Sequence, residues 1–145
     1  MTMTQPILAI TDKLKGWRVL LVDDEPENLD VAGTWLRLAG AQVSTAFNGK
    51  QGMELARQTN PHVILADLSM PIMDGWDMQH DLKNDILTSD IPVIALTAHT
   101  MQGVEDRVIA AGFADYIAKP LRGQAFVMKI YEIVTRTSGR PEFPF

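Results

Sequence analysis

Five short strand-like segments, most of them apolar, alternate with amphipathic stretches along the chain, and no other feature restricts the fold as much. The segments are Trp17 to Val22, Gln42 to Ala46, His62 to Ala66, Ile91 to Leu96 and Ala114 to Ala118. The first carries Arg18 as its only polar interruption. Such runs read as strands buried on both faces, which is the situation in a parallel sheet covered by helices. The stretches between them read as helices. Pro26 suits a first helical turn, where its missing N–H costs nothing. Leu29, Val31, Ala32, Trp35, Leu36 and Leu38 give that helix a wide apolar stripe, and Gly40 ends it. Asn48-Gly49 is a turn that opens a helix with Met53, Leu55 and Ala56, and Asn60-Pro61 stops it. Trp76, Met78, Leu82 and Ile86 mark a third helix. A fourth spans about Met101 to Ala111 and is cut by Gly112. The last runs from about Gly123 to Thr135 with Phe126, Val127, Ile130 and Val134 inward. Unbroken strand–helix alternation predicts an α/β fold with a parallel sheet.

At 145 residues the chain is long enough for one domain, and a chain of this size buries roughly 68% of its extended surface. There is no cysteine, so neither disulfides nor thiolate-bound zinc can contribute, and a reducing compartment fits. The net charge of -5 speaks against a nucleic-acid-binding surface. No apolar stretch approaches the ~20 residues of a membrane span, and the first residues lack the basic start and long apolar block of a signal peptide. The expectation is a cytoplasmic domain without nucleic acid or membrane partners. Its core covers residues 17–136, with an N-terminal extension at 1–16 and a tail at 137–145. In the extension Ile7, Leu8, Ile10 and Leu14 could pack on the domain as a short helix, the alternative being a frayed end. In the tail Phe143 and Phe145 flank Pro144, which reads either as a linker stub or as an apolar hook.

Three aspartates and a lysine end or follow these strands. Asp23 and Asp24 come after the first, Asp67 closes the third, and Lys119 follows the fifth. In an open parallel sheet the strand C-termini share one edge, and ligands bind there. Three carboxylates gathered on that edge repel one another, so a cation is expected to compensate them. A hard ion such as Mg²⁺ takes oxygen ligands and keeps some waters. An Asp67 oxygen left over from coordination could attack phosphorus, with Lys119 supplying positive charge to the phosphoryl oxygens. Thr97 ends the fourth strand on the same edge, where its hydroxyl could bond a phosphoryl oxygen and small Ala98 would keep that oxygen accessible. The plain alternatives are a helix cap for Asp24 or Asp67 and a turn, possible in cis, at Lys119-Pro120. His62 and His80 read as surface or second-layer residues. No Gly-x-Gly-x-x-Gly or Walker-type Gly-Lys-Ser/Thr is present, so nucleotide binding by those routes is unsupported.

Taken together, Val22-Asp23-Asp24-Glu25, the segment Asp67-Leu-Ser-Met-Pro-Ile-Met-Asp-Gly75, Leu96-Thr97-Ala98 and Lys119-Pro120 resemble the receiver domains of two-component response regulators. The resemblance covers about Trp17 to Thr135 and is similar to single-domain, chemotaxis-regulator-like members. It implies a five-stranded parallel sheet of order 2-1-3-4-5 in a flavodoxin-like three-layer sandwich, with two helices on one face and three on the other. It further implies that Asp67 is phosphorylated, that Asp23, Asp24, Asp67 and the Ser69 carbonyl serve Mg²⁺, and that Thr97 and Lys119 contact the phosphoryl group. Tyr116 matches the aromatic that changes rotamer as Thr97 moves. Ser69 and His99 occupy variable positions beside the pocket, where side chains influence hydrolysis. The implied partners are a histidine kinase or histidine phosphotransfer protein and a downstream target protein, reached through the fourth helix, fifth strand and fifth helix. Such a chain catalyses its own phosphoryl transfer and dephosphorylation without being a turnover enzyme. Two other classes compete. One is a phosphorylation-independent pseudo-receiver, an interaction module, against which the intact acidic cluster argues. The other is a Mg²⁺-dependent phosphatase with Asp23 as nucleophile and Glu25 as acid, which leaves Asp67 without a role.

Overall fold

A computed structural model describes residues 10–98 and 103–138. Its elements run β1 (Arg18–Val22), α1 (Pro26–Leu38), β2 (Gln42–Ala46), α2 (Gly49–Thr59), β3 (Val63–Asp67), α3 (Gly75–Lys83), β4 (Val93–Thr97), α4 (Val104–Ala110), β5 (Asp115–Ala118) and α5 (Gly123–Ser138). The strands form one parallel sheet in the order β2-β1-β3-β4-β5. Strands β3 and β4 are buried at every position, as their near-continuous apolar character requires.

The sheet separates two cores. On one face, Leu29, Ala32 and Leu36 of α1 meet Phe126, Val127, Ile130, Ile133 and Val134 of α5 over the alternate strand residues Val19, Leu21, Leu65, Ile94 and Leu96. On the other, Met53 and Ala56 of α2, Met78 and Leu82 of α3 and Val108 of α4 cover Leu20, Val22, Ile64, Ala66, Val93 and Ala95. The distribution of two helices against three is therefore the expected one. Period-two alternation along each strand is what assigns a residue to one core or the other.

The N-terminal extension joins the first core. Ile10 and Leu14 are fully buried and Trp17 nearly so. Leu14 N–H donates to the Ala39 carbonyl at 2.8 Å, and Gly16 N–H to the Gly40 carbonyl at 3.3 Å. Gly40 sits at φ +95, and a Cβ there would lie 2.9 Å from the Lys15 Cα; glycine alone accepts both conditions. Trp17 stacks on Tyr131 with ring centroids 5.9 Å apart, and the Lys13 ammonium lies 4.1 Å from the Tyr131 centroid. Ile7, Leu8 and the Phe143 to Phe145 segment lie outside the described residues.

Some sequence readings need correction. Helix α3 stops at Lys83, and Ile86 stands in the following turn with 92% of its surface exposed. Asn84 follows the helix as its C-cap, and Thr88 Oγ1 donates to the Leu82 carbonyl, so the chain turns before the apolar period can be extended. Val31 and Leu38 lie on the open side of α1 rather than in its buried stripe. Helix α5 runs three residues past Thr135. Among the described residues no helix is long and apolar enough to cross a membrane.

Candidate functional site

Register brings the acidic residues together. Val22 pairs with Ala66 across β1 and β3, so Asp23 and Asp67 leave adjacent strands at the same level. Asp67 pairs with Leu96, and Thr97 with Ala118, which sets Thr97 and Lys119 on the same edge. Carboxylate oxygens of Asp23, Asp24 and Asp67 all lie within 4.8 Å of one another. Asp23 is fully buried, Asp67 is buried, and Asp24 faces solvent.

Local backbone contacts fix the first two. Asp23 N–H donates to the Ala46 carbonyl at 3.1 Å, tying the loop to β2. The Asp23 Oδ1 accepts Glu25 N–H at 2.9 Å and its Oδ2 accepts Asn28 Nδ2 at 3.3 Å. Asp67 Oδ1 accepts Ser69 N–H at 3.2 Å. These are short Asx-type turns after strands, which aspartate forms readily. The residue capping α1 is Glu25, whose side chain makes no capping bond, so Asp24 is not the cap. Asp74 does cap α3, accepting Asp77 N–H at 2.9 Å.

Lys119 bridges the two buried carboxylates. Its Nζ is 3.1 Å from Asp23 Oδ2 and 3.3 Å from Asp67 Oδ2. Its backbone N–H donates to the Thr97 carbonyl at 2.8 Å, and the Lys119-Pro120 peptide is cis. Burial alone pulls the Lys119 ammonium down, but the charges and hydrogen bonds of Asp67 and Asp23 together outweigh it and hold its pKa above the ordinary value. For Asp67 the balance goes the other way. Burial pushes its carboxyl up, the Ser69 N–H and the Lys119 charge pull it down, and the charge of Asp23 adds to the rise, which is the net result. A buried carboxylate facing another carboxylate is electrostatically unfavourable, and further positive charge at this spot would relieve it.

The loop after β3 is shaped around Asp67. Gly75 N–H returns to the Leu68 carbonyl at 3.2 Å. A Cβ on Gly75 would run into the Asp67 carbonyl oxygen and lie 3.0 Å from the Leu68 Cα, so the ninth residue of the motif is glycine for lack of space. Gly49 N–H donates to the Met73 carbonyl at 2.8 Å and holds the far side of this loop against α2. Ile72, at the tip, is 81% exposed with φ +69, a left-handed conformation rare for a β-branched side chain.

Of the other expected residues, Thr97 is buried and its Oγ1 has no hydrogen-bond partner among the described residues. Ser69 and Ala98 are exposed beside it on the same edge. Tyr116 is half-buried, packs against the second core, and lines a cavity of about 430 Å³ with Glu105, Ile117, Arg122 and Phe126. His99 lies outside the described residues. His80 is exposed, and His62 Nδ1 accepts Arg18 N–H at 2.9 Å, so neither approaches the acidic edge as a ligand. Sequence reasoning missed Asn28 as a partner of Asp23, for which a lone asparagine five residues on gives no signal. It also missed the direct contact of Lys119 with Asp23.

This architecture and this edge carry a family signature. The response regulator receiver domain profile matches residues 19–131. The chain belongs to that family. The receiver shares 33% identity over 127 residues with the DNA-binding dual master transcriptional regulator RpaA of Synechocystis, covering 86% of this chain and 52% of RpaA. It shares 39% over 119 residues with the signal transduction histidine-protein kinase BarA of Escherichia coli, covering 79% of this chain and 13% of BarA. The chain thus spans about half the length of RpaA and a small part of BarA. Among solved structures, the receiver domain of sensor histidine kinase PA1611 from Pseudomonas aeruginosa superposes with a TM-score of 0.73 at 31% identity, covering 86% of this chain and 98% of that one. That domain holds a magnesium ion coordinated in its active-site cleft. The acidic cluster and the kinship with histidine kinases support a phosphoacceptor receiver working in a phosphorelay.

Proposed function

We propose that this receiver takes a phosphoryl group from a histidine kinase or histidine phosphotransfer protein onto Asp67 and signals through a protein partner. The observation that carries the reading is the Asp67 carboxylate, buried on the sheet edge beside both Lys119 and the Asp23–Asp24 pair. In the transfer, an Asp67 oxygen forms a bond to phosphorus while the bond from phosphorus to the donor imidazole nitrogen breaks. The nitrogen keeps the electron pair, and the product is an acyl phosphate. Lys119 holds its proton firmly, so it meets the phosphoryl oxygens as a fixed positive charge. The Thr97 hydroxyl, buried without a partner, is available to donate to one of them.

The donor set fits a divalent cation, being three carboxylates within reach of one point with one of them open to solvent. Asp23, Asp24, Asp67 and the Ser69 carbonyl would hold Mg²⁺. When bound, the ion neutralises charge on the phosphoryl oxygens. Output follows the Thr97–Tyr116 pair. Drawing Thr97 toward the phosphoryl group frees space that Tyr116 occupies, and the α4–β5–α5 face changes shape. Such a switch is a shift between two packings biased by differential contacts. The test is intact mass after incubation with acetyl phosphate and Mg²⁺. One added phosphoryl group, dependent on Mg²⁺ and on Asp67, supports the reading, and an unmodified mass under those conditions overturns it.

A further inference from the structure

The seam between α3 and α4 combines an unusual pair of features. Trp76 occupies the first turn of α3, directly after Gly75, whose backbone lies against the Asp67 carbonyl. The Arg107 guanidinium of α4 lies over its ring, 5.0 Å from the centroid. Phe113 meets the ring edge-on at 5.6 Å and 87°. Phe113 is itself tied to α4, because its N–H donates to the Val108 carbonyl at 3.2 Å. One turn further along α3, Gln79 is fully buried. Its Nε2 reaches the Ala111 carbonyl only at 3.5 Å, and its Oε1 has no partner among the described residues.

Helix α4 spans seven residues and buries only Val108 completely. Its hold on the domain therefore leans on contacts at its edges. The Trp76 ring with Arg107 strengthens that hold, and the Gln79 Nε2 bond to the Ala111 carbonyl at the end of α4 is long and adds little. A helix held by so few contacts is easily moved. Trp76, Val104 and Tyr116 pack against the same core, so a rotation of Tyr116 meets α4 and this seam together.

We propose that the α3–α4 seam, closed by Arg107 over Trp76, is a latch that sets how readily α4 yields when Asp67 is phosphorylated. The proposal rests on the acceptor reading above and names a regulatory element of the same site. Arg107 and Trp76 touch no reacting atom. They are positioning residues, and their effect is on the balance between the two packings.

The experiment is a titration with beryllofluoride in saturating Mg²⁺, followed by amide NMR of residues 113–118. Arg107 is exposed, so Arg107→Gln keeps the fold. Its apparent dissociation constant for beryllofluoride should fall roughly two- to fivefold, the size of a partly exposed cation–π contact. Trp76→Leu should tighten binding by itself, and Arg107→Gln in that background should add nothing further. Unchanged affinity in Arg107→Gln, or a further gain from Arg107→Gln in the Trp76→Leu background, overturns the latch while leaving the acceptor reading intact. If the unmodified chain binds no beryllofluoride, the acceptor reading and the latch fall together.

Discussion

Lys119 is the residue whose removal most directly exposes the electrostatics of the acidic edge. Its ammonium lies 3.1 Å and 3.3 Å from two buried carboxylates, and its own side chain is 18% exposed. At an effective dielectric of about 20, each unit-charge contact at such distances is worth about 5 kcal/mol before desolvation is subtracted. Desolvation cancels most of that, and breaking a buried pair by deleting one partner costs about 3–5 kcal/mol. Residual solvent access at Lys119 places the expectation near the lower end. Lys119→Met should thus lose ~3 kcal/mol of unfolding free energy at neutral pH in metal-free buffer. The loss should shrink as pH falls toward the ordinary carboxylate value of 3.8, because Asp67, with its raised pKa, is protonated before an unperturbed carboxylate would be. Urea unfolding with a common slope for both proteins measures the difference. A loss below about 1 kcal/mol at neutral pH, the value of a surface ion pair, would refute the reasoning. So would an identical loss at both pH values.

Other consequences follow from the same geometry. The raised pKa of Asp67 means that its contribution to stability is present below 3.8 and is lost as pH rises through its folded value; Asp67→Asn should accordingly raise the metal-free thermal midpoint at neutral pH, and a lower midpoint would contradict this. His62 is held below its usual value by burial and then by the charge of Arg18, and its neutral Nδ1 accepts the Arg18 N–H. Its stabilising effect is present above 6.5 and should be lost as pH falls from there through the lowered folded value. His62→Gln should therefore flatten the stability profile below 6.5, as denaturant titrations at several pH values can show. Gly75→Ala should cost about 1–3 kcal/mol through overpacking against the Asp67 carbonyl and Leu68, and it should slow labelling by acetyl phosphate because the acceptor shifts with the loop. Thr97→Ala should still accept a phosphoryl group but leave residues 113–118 unperturbed in amide spectra with beryllofluoride; full-sized shifts there would move the coupling to Lys119 or the loop after β3.

Strands β1, β3 and β4 were legible because they are nearly pure apolar runs, and burial on both faces of β3 and β4 leaves few polar positions to confuse the pattern; β2 and β5, at the sheet edges, keep polar residues and were read from the alternation with helices. Their edge was legible for the same reason, since Asp23, Asp67, Thr97 and Lys119 all end or follow such runs. Ile86 was misread because an apolar residue at helical spacing does not report whether the helix continues, and the turn at Asn84 ends it. Val31 and Leu38 were misread because several apolar positions on α1 fit a broad stripe, whereas only part of that stripe touches the sheet. The contacts of Lys119 with Asp23 and of Arg107 with Trp76 join residues far apart in the chain and depend on side-chain reach across the sheet edge or a helix seam. No local pattern encodes them. The fully buried Ile10 and Leu14 show that the packed domain begins before the matched family segment, which starts at residue 19.

The central claim is that Asp67 is the phosphoryl acceptor, and intact mass spectrometry of two proteins tests it most directly. The unmodified chain and Asp67→Asn are incubated with acetyl phosphate and Mg²⁺, each with a parallel sample in chelator. The account predicts one added phosphoryl group on the unmodified chain with Mg²⁺, none with chelator, and none on Asp67→Asn under either condition. Equal labelling of Asp67→Asn would contradict the assignment of the acceptor, and no labelling of the unmodified chain would favour an interaction module that works without phosphorylation.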